Sequence, residues 1–258
     1  MRIQLSDHFN YRKLIAFTLP SIAMMIFTSV YGVVDGFFVS NFAGKTAFSA
    51  VNLIMPFLMI VASMNIVGML YNIQLMKYAG EDGIAAYGVM MYVSFIFAST
   101  FIGYSVGSAP IIGFHDGAKN RAELKGLLKK SVVLIGVFAL AMLLLGELLA
   151  LPLSKLFVGY DKALLELTVS GFKIFAVSFL FMGYAIFGSG FFTALNDGVT
   201  SAIISFLRTL VFQIAAVLLL PMILGIDGIW YSIIAAEFMA AALSAFFILL
   251  KKNKYHYL

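Results

Sequence analysis

The sequence predicts an all-α, polytopic membrane protein, a helical bundle of about seven to eight membrane segments. Three observations predict it. The chain is 62% hydrophobic and 11% charged, where a soluble domain is about half apolar and about a quarter charged, so the solvent for much of its surface is lipid. Apolar runs of roughly 20 residues recur along the whole chain, the length a helix needs to cross ~30 Å of hydrocarbon. These runs are continuous rather than alternating, which argues against a β-barrel. The chain has no cysteine, which excludes disulfides, thiol catalysis and thiolate metal sites. Its net charge is +5, but the basic residues flank apolar runs and so set topology rather than bind nucleic acid.

The elements follow in order. The polar start carries Arg2, Arg12 and Lys13 and is expected on the cytoplasmic side. The first helix, Leu14–Ser40, contains Pro20 and one charge, Asp35, between Gly32 and Gly36, and is expected to act as its own insertion signal. The apolar run Ala47–Met76 has Pro56 and Ser63-Met64-Asn65 in its middle. It is too long for one untilted span and too short for two full ones. Ile84–Ile112 is the next span. His115–Lys130 is the most charged stretch and reads as a cytoplasmic loop with a short surface helix. Ser131–Leu151 is a span with Glu147 near its far end, and Pro152–Glu166 reads as a loop. Leu167–Leu195, Val199–Leu220 and Ile229–Leu250 complete the spans, and Lys251, Lys252 and Lys254 follow.

One pattern is written twice, 36 positions apart: Ala43/Ala79, Gly44/Gly80, Ala50/Ala86 and Met55/Met91 coincide. Each copy reads as helix, short Gly turn, helix. Placing the N-terminus, His115–Lys130 and the C-tail inside leaves Lys45, Lys77, Lys155 and Lys162 outside, a strong positive-inside asymmetry. That placement requires Ala47 and Met76 on the same outer side. The run between them must then enter the membrane and return.

Three stretches carry a family resemblance. They are Gly107-Ser108-Ala109-Pro110 through Asp116-Gly117-Ala118-Lys119-Asn120, the turn Phe191-Phe192-Thr193-Ala194-Leu195-Asn196-Asp197-Gly198, and Val33-Val34-Asp35-Gly36 through Ala43-Gly44. In this order and spacing the chain resembles the multidrug and toxic compound extrusion (MATE) family of secondary transporters, whose members have two lobes of six helices. The resemblance implies one lobe plus part of a second. Residues 1–61 look like the first helix and the start of the second. Residues 62–258 look like the C-terminal six-helix lobe, its first helix shortened. The repeat then marks two equivalent lobe starts brought together by loss of what separated them.

The resemblance also implies a function: an antiporter exporting amphipathic or cationic drugs or toxins in exchange for protons, impaired by the missing helices. The alternatives are a non-transporting membrane remnant and a lipid-linked oligosaccharide flippase of the same superfamily. The expected partners are the bilayer, a small amphipathic or cationic substrate, protons rather than sodium, and a second copy of the chain. The expected location is the plasma membrane with both termini cytoplasmic.

Asp35 is the sharpest site candidate. A carboxylate within a membrane helix is costly and by default functional, and desolvation favours its protonated form. In proton-coupled MATE proteins an acidic residue in this Val-Val-Asp-Gly context couples the ion. The competing reading is a hydrated interfacial Asp35 or a pair with Lys45. Asn72 and Gln74 face either the substrate cleft or an interhelical hydrogen bond. Lys173, Arg208 and Glu237 are further cleft candidates. Arg208 is expected one to two turns from the cytoplasmic end, close enough to snorkel, and Glu237 pairs with Lys173 or Arg208. Met64–Tyr78 and Phe175–Ser189 contain no Asp or Glu, against the sodium site that the resemblance would otherwise imply there. Most of the Met, Phe and Tyr side chains are read as facing lipid or packing helices; some would line an apolar cleft. His8, His115 and His256 lie in polar segments with no nucleophile or metal partner, so no enzyme activity, cofactor or metal is expected.

Overall fold

The computed structural model describes residues 4–44, 46, 49 and 66–257, with positions 31, 32, 35 and 43 described by backbone alone. Among them every regular element is helical. Helix α1 (Tyr11–Phe38) continues into a π-helical turn, Val39–Ala43. Helix α2 (Ile66–Gly117) is kinked at Gly80, and α3 spans Arg121–Val158. Helices α4 (Lys162–Ala176) and α5 (Phe179–Ala194) are bent by 50° about their junction. Helix α6 (Gly198–Phe206), a second π-helical turn (Leu207–Phe212), α7 (Gln213–Leu219) and α8 (Pro221–Leu224) follow one another directly. Helix α9 (Ile226–Leu250) and the short α10 (Lys252–Tyr255) end the chain.

Among the described residues, five helices are long and apolar enough to cross a membrane, or six when α4 and α5 count as one broken span. That is fewer than the seven to eight segments expected from sequence. The arm 66–79, expected as a separate returning stump, runs into the following span without a loop and is counted with it, although Gly80 (φ 60°, ψ −147°) lies outside helical geometry and breaks the two. The earlier part of the run, 47–48 and 50–65, lies outside the described residues.

Two expected loops are also corrected. Helix α3 runs through Pro152 to Val158, so the connection to α4 is 159–161 rather than Pro152–Glu166. A proline removes one backbone bond, whereas unwinding in lipid would leave several unsatisfied. The charged stretch His115–Lys130 is likewise mostly helix: α2 continues to Gly117, and Asn120 caps α3 by accepting from the Glu123 amide.

Lipid-facing surfaces read inside-out. Val133, Val137, Leu140, Leu144, Leu148 and Leu151 are all exposed, and their spacing of three and four residues places them on one face of α3. Apolar burial does little to join helices in lipid; close packing of small residues does more. Helix α5 is the central example. A Cβ on Gly183 would meet Phe101 and Ile135, one on Gly188 would meet Ser244, and one on Gly190 would meet Ser105. These glycines let α5 press against α2, α3 and α9 at once. Similarly Gly103 and Gly107 on α2 form a Gly-x-x-x-Gly groove for α1: a Cβ at Gly103 would lie 2.4 Å from Ile22 Cα.

Side-chain contacts define the two ends of the bundle. At one end the Phe9 amide donates to Glu123 Oε1 (2.9 Å), Lys130 donates to the Phe9 carbonyl, and Lys251 donates to Asp197 Oδ2 (2.8 Å). At the other end Ser40 donates to the Phe157 carbonyl and Asn41 to the Leu156 carbonyl (2.8 Å). Ser49 donates to the Glu81 carbonyl (3.1 Å) and Thr46 to the Glu81 carboxylate (3.4 Å). Both Gly turns of the repeat therefore lie at the same end, the arrangement the charge count requires.

The repeated turn has a backbone identity. Gly44 and Gly80 both take positive φ (83° and 60°), and so does Gly225 (62°). The last two begin the same pentapeptide pattern, Gly80-Glu81-Asp82-Gly83-Ile84 and Gly225-Ile226-Asp227-Gly228-Ile229. The second glycine of each lies tight on the preceding helix: a Cβ on Gly83 would meet the Leu75 carbonyl oxygen at 3.1 Å, and one on Gly228 would meet that of Leu220 at 2.4 Å. The first glycine reverses the chain and the second lets the new helix close on the old one.

Candidate functional site

The described polar side chains nearest mid-depth converge where α2, the second π-helical turn and α9 meet. Glu237 is eleven residues into α9, about 17 Å from one helix end and about 20 Å from the other at 1.5 Å per residue. Its side chain is 4% exposed. Arg208 Nε donates to Glu237 Oε2 and its terminal nitrogen to Oε1, both at 2.9 Å. This is a forked, charge-assisted contact that satisfies both carboxylate oxygens. A lone carboxylate at this depth costs several kcal/mol; the guanidinium offsets that cost.

The π-helical turn decides what stands beside this pair. A π turn closes every five residues rather than four, so Arg208 and Gln213 come round to neighbouring positions. Tyr71 Oη donates to Gln213 Oε1 (2.7 Å), and Tyr71 stacks on Tyr87 with centroids 5.2 Å apart and rings 3° from parallel. Tyr71 is 1% exposed, and Asn72 beside it is also buried. Below the cluster the interface of α5 and α6 carries a hydroxyl ladder: Ser189 bonds Ser205 (2.6 Å) and Ser201 (3.0 Å), and Thr193 bonds Ser201 (2.7 Å). Thr209 donates to the Ser205 carbonyl (2.7 Å).

The structure joins some of the sequence-selected residues and separates others. Glu237, left to pair with Lys173 or Arg208, pairs with Arg208. Arg208 lies ten residues into α6 and its π extension, about 15 Å along, so it is deeper than the expected one to two turns and does not snorkel. A buried carboxylate that accepts a fork outcompetes water at the membrane edge. Lys173 is exposed and lines a separate open pocket of ≈ 530 Å³ between α3 and α4, with Lys162 and Glu166. Gln74 is half-buried two residues beyond Asn72. Asp35 falls in α1 three residues before its end, and its side chain lies outside the described residues. Sequence reasoning passed over Tyr71, because one tyrosine among 12 carries no signal until Gln213 is placed against it.

Two polar knots brace one end of the bundle. Glu123 accepts from the Phe9 amide, pairs with His8 and lies 3.7 Å from Lys130. Asp197 caps α6 through the Thr200 amide (3.2 Å) and accepts from Lys251 (2.8 Å) and Tyr255 (2.9 Å). Burial alone would raise the Asp197 pKa; the bonds from Lys251, Tyr255 and Thr200 outweigh it and hold the carboxyl well below the usual carboxylate range. Among the described residues no group of three or more His, Cys, Asp or Glu is placed to hold a metal.

The MatE family model matches residues 61–219, more than half of the chain. The chain belongs to the MatE family. It is similar to the multidrug export protein MepA of Staphylococcus aureus (strain bovine RF122 / ET3-1), 23% identical over 191 residues, which cover 74% of this chain and 42% of the relative. Its fold matches a multidrug resistance MATE family transporter of the MOP superfamily in the outward-facing conformation, with a TM-score of 0.70 and 18% identity, over 83% of this chain and 48% of that one. An inward-facing conformation matches equally well, with a TM-score of 0.70 and 19% identity over 82% and 48%. The MatE chain thus spans less than half the length of the relatives it matches. At 18–19% identity the matched structures show the fold of the chain.

Proposed function

We propose that this MatE chain serves a secondary antiporter that exports amphipathic, often cationic compounds in exchange for protons. The observation that carries the reading is the charged cluster Arg208–Glu237 at mid-depth on a MATE lobe fold, where alternating-access transporters keep their binding sites. Asp35 is assigned the ion-coupling role, and Asn72, Gln74, Arg208 and Glu237 the substrate-facing wall; Lys173 stands apart from them. Residues 1–61 are assigned to a remnant first lobe and 62–258 to the second lobe. Both termini are placed in the cytoplasm, in the plasma membrane.

Rocking needs two lobes, so a second copy of the chain is assigned the missing half. The lobes of the family share one orientation across the membrane, and two copies inserted by the same positive-inside rule do as well. A non-transporting membrane remnant or scaffold is the competing reading. An efflux assay in a pump-deficient host separates the two. Resistance that Asp35→Asn abolishes supports antiport. Membrane insertion without any resistance leaves the remnant.

A further inference from the structure

Glu237 offers a cation site that the protein fills with its own side chain. The carboxylate accepts two parallel N–H bonds from one planar group, Nε and a terminal nitrogen of Arg208, each at 2.9 Å. The stacked rings of Tyr71 and Tyr87 lie on its flank, with Gln213 between as the hydrogen-bond partner of Tyr71. A site with this donor geometry recognises a particular chemistry: a planar cation carrying two parallel N–H groups. A quaternary ammonium has none to offer.

We propose that Glu237 binds guanidinium or amidinium compounds, and that Arg208 is the internal occupant such a ligand displaces. The proposal rests on the transporter reading above and names the substrate class at its site. Three features support displacement rather than a fixed tie. Arg208 is less enclosed than its partner, 20% exposed against 4%, so it has a way out while Glu237 does not. Arg208 stands in a π turn, a widened helical turn frequent at functional sites, and tightening that turn would move Arg208 relative to Gln213. The hydroxyls of Ser205, about one turn before Arg208, and of the adjacent Thr209 are polar groups near a released guanidinium. Exchange of one planar cation for another keeps the carboxylate compensated throughout, and the released charge leaves on the partly exposed Arg208 side chain.

The test uses the purified full chain in lipid nanodiscs and p-aminobenzamidine, whose fluorescence rises in apolar sites. Arg208→Met removes the internal competitor and should raise affinity at least tenfold over the unmodified chain. Arg208→Met combined with Glu237→Gln should lose that gain, and Glu166→Gln, a carboxylate of the separate pocket, should change nothing. Methylguanidinium should compete for the Arg208→Met site and tetramethylammonium should not. Thermal melting qualifies each variant; if Arg208→Met does not fold, Arg208→Lys, which keeps the charge but loses the fork, should show a smaller gain. A pair that merely ties the π turn to α9 weakens the fold without creating affinity. No gain in either arginine variant, a gain that survives Glu237→Gln, or equal competition by tetramethylammonium overturns the proposal. Efflux reads separately: binding without resistance leaves this site and removes the transporter reading, and resistance without binding does the reverse.

Discussion

Gly103→Ala is a one-methyl test of how α1 is held. The added Cβ would lie 2.4 Å from Ile22 Cα, 2.8 Å from Ile22 N and 2.9 Å from the Ser21 carbonyl oxygen. All three are backbone atoms of a helix, so no rotamer change relieves the overlap. Carbon atoms pack best at about 3.5–4.0 Å, so α1 must withdraw by about 1 Å. Such a gap forfeits about a quarter to a half of each contact's attraction. It would spread to Gly107 and Thr18, one turn away, where the corresponding approach is 3.0 Å. Overpacking of this kind costs about 1–3 kcal/mol. At about 2–4 °C per kcal/mol for a chain of this size, the melting temperature should fall by about 2–12 °C. The control is Gly117→Ala on the same helix, where nothing lies within 4 Å of the new methyl and helix propensity favours alanine. Thermal melting of both variants in one detergent checks this. A Gly103→Ala melting temperature within 1 °C or so of the unmodified chain would refute the claim that this groove seats α1.

Other consequences follow from the same contacts. Gly80→Ala and Gly225→Ala meet no atom within 4 Å, yet both positions need positive φ, so each should destabilise by about 1–3 kcal/mol, and a melt that matches the unmodified chain contradicts the turn assignment. Glu237→Ala strands Arg208 and should cost about 3–5 kcal/mol, while the double change with Arg208→Met should recover much of that loss; a purely additive double is the contrary result. The Asp197 carboxyl has a folded-state pKa below its unfolded value, so its stabilisation is complete above about pH 4 and is lost as pH falls from there. Acidification through that lowered folded-state pKa, well below the usual carboxylate range, should therefore free Lys251 and Tyr255 of the C-terminal segment from Asp197. Asp197→Asn should free it already at neutral pH, seen as faster cleavage after Lys252 and Lys254 by a lysine-specific protease; unchanged cleavage speaks against the knot.

Much of the fold was legible because lipid imposes simple rules. Runs of about 20 apolar residues mark helices whatever their partners. Gly44 and Gly80 announce breaks because few other residues take their φ. The shared end of those two breaks followed from counting lysines and arginines. The misplacements fell where backbone economy in lipid overrode a local breaker: Pro152 reads as a stop by its chemistry and is carried inside α3. The Gly-x-Asp-Gly-Ile turn was visible twice in the sequence, yet its meaning rests on the carbonyls of Leu75 and Leu220, which come from the preceding helices.

The site was less legible than the fold. Arg208 and Glu237 stood out as charges inside apolar runs, and their pairing was one of two options. The choice of Arg208 over Lys173 was made by helix rotation: the π-helical turn points Arg208 at α9, while Lys173 lines the separate open pocket between α3 and α4. Tyr71 and the Ser189–Ser201–Ser205 ladder had no signature, since a hydroxyl or a phenol in a membrane helix is common and gains a role through its neighbour. The sequence by itself thus determined that the chain is a membrane bundle, where its glycine turns fall, and which charges must be compensated, because hydrophobicity and glycine act locally. Only the tertiary structure decided which groups compensate which, because a fork such as Arg208–Glu237 depends on the rotation and spacing of two helices whose paired residues are 29 positions apart in the chain.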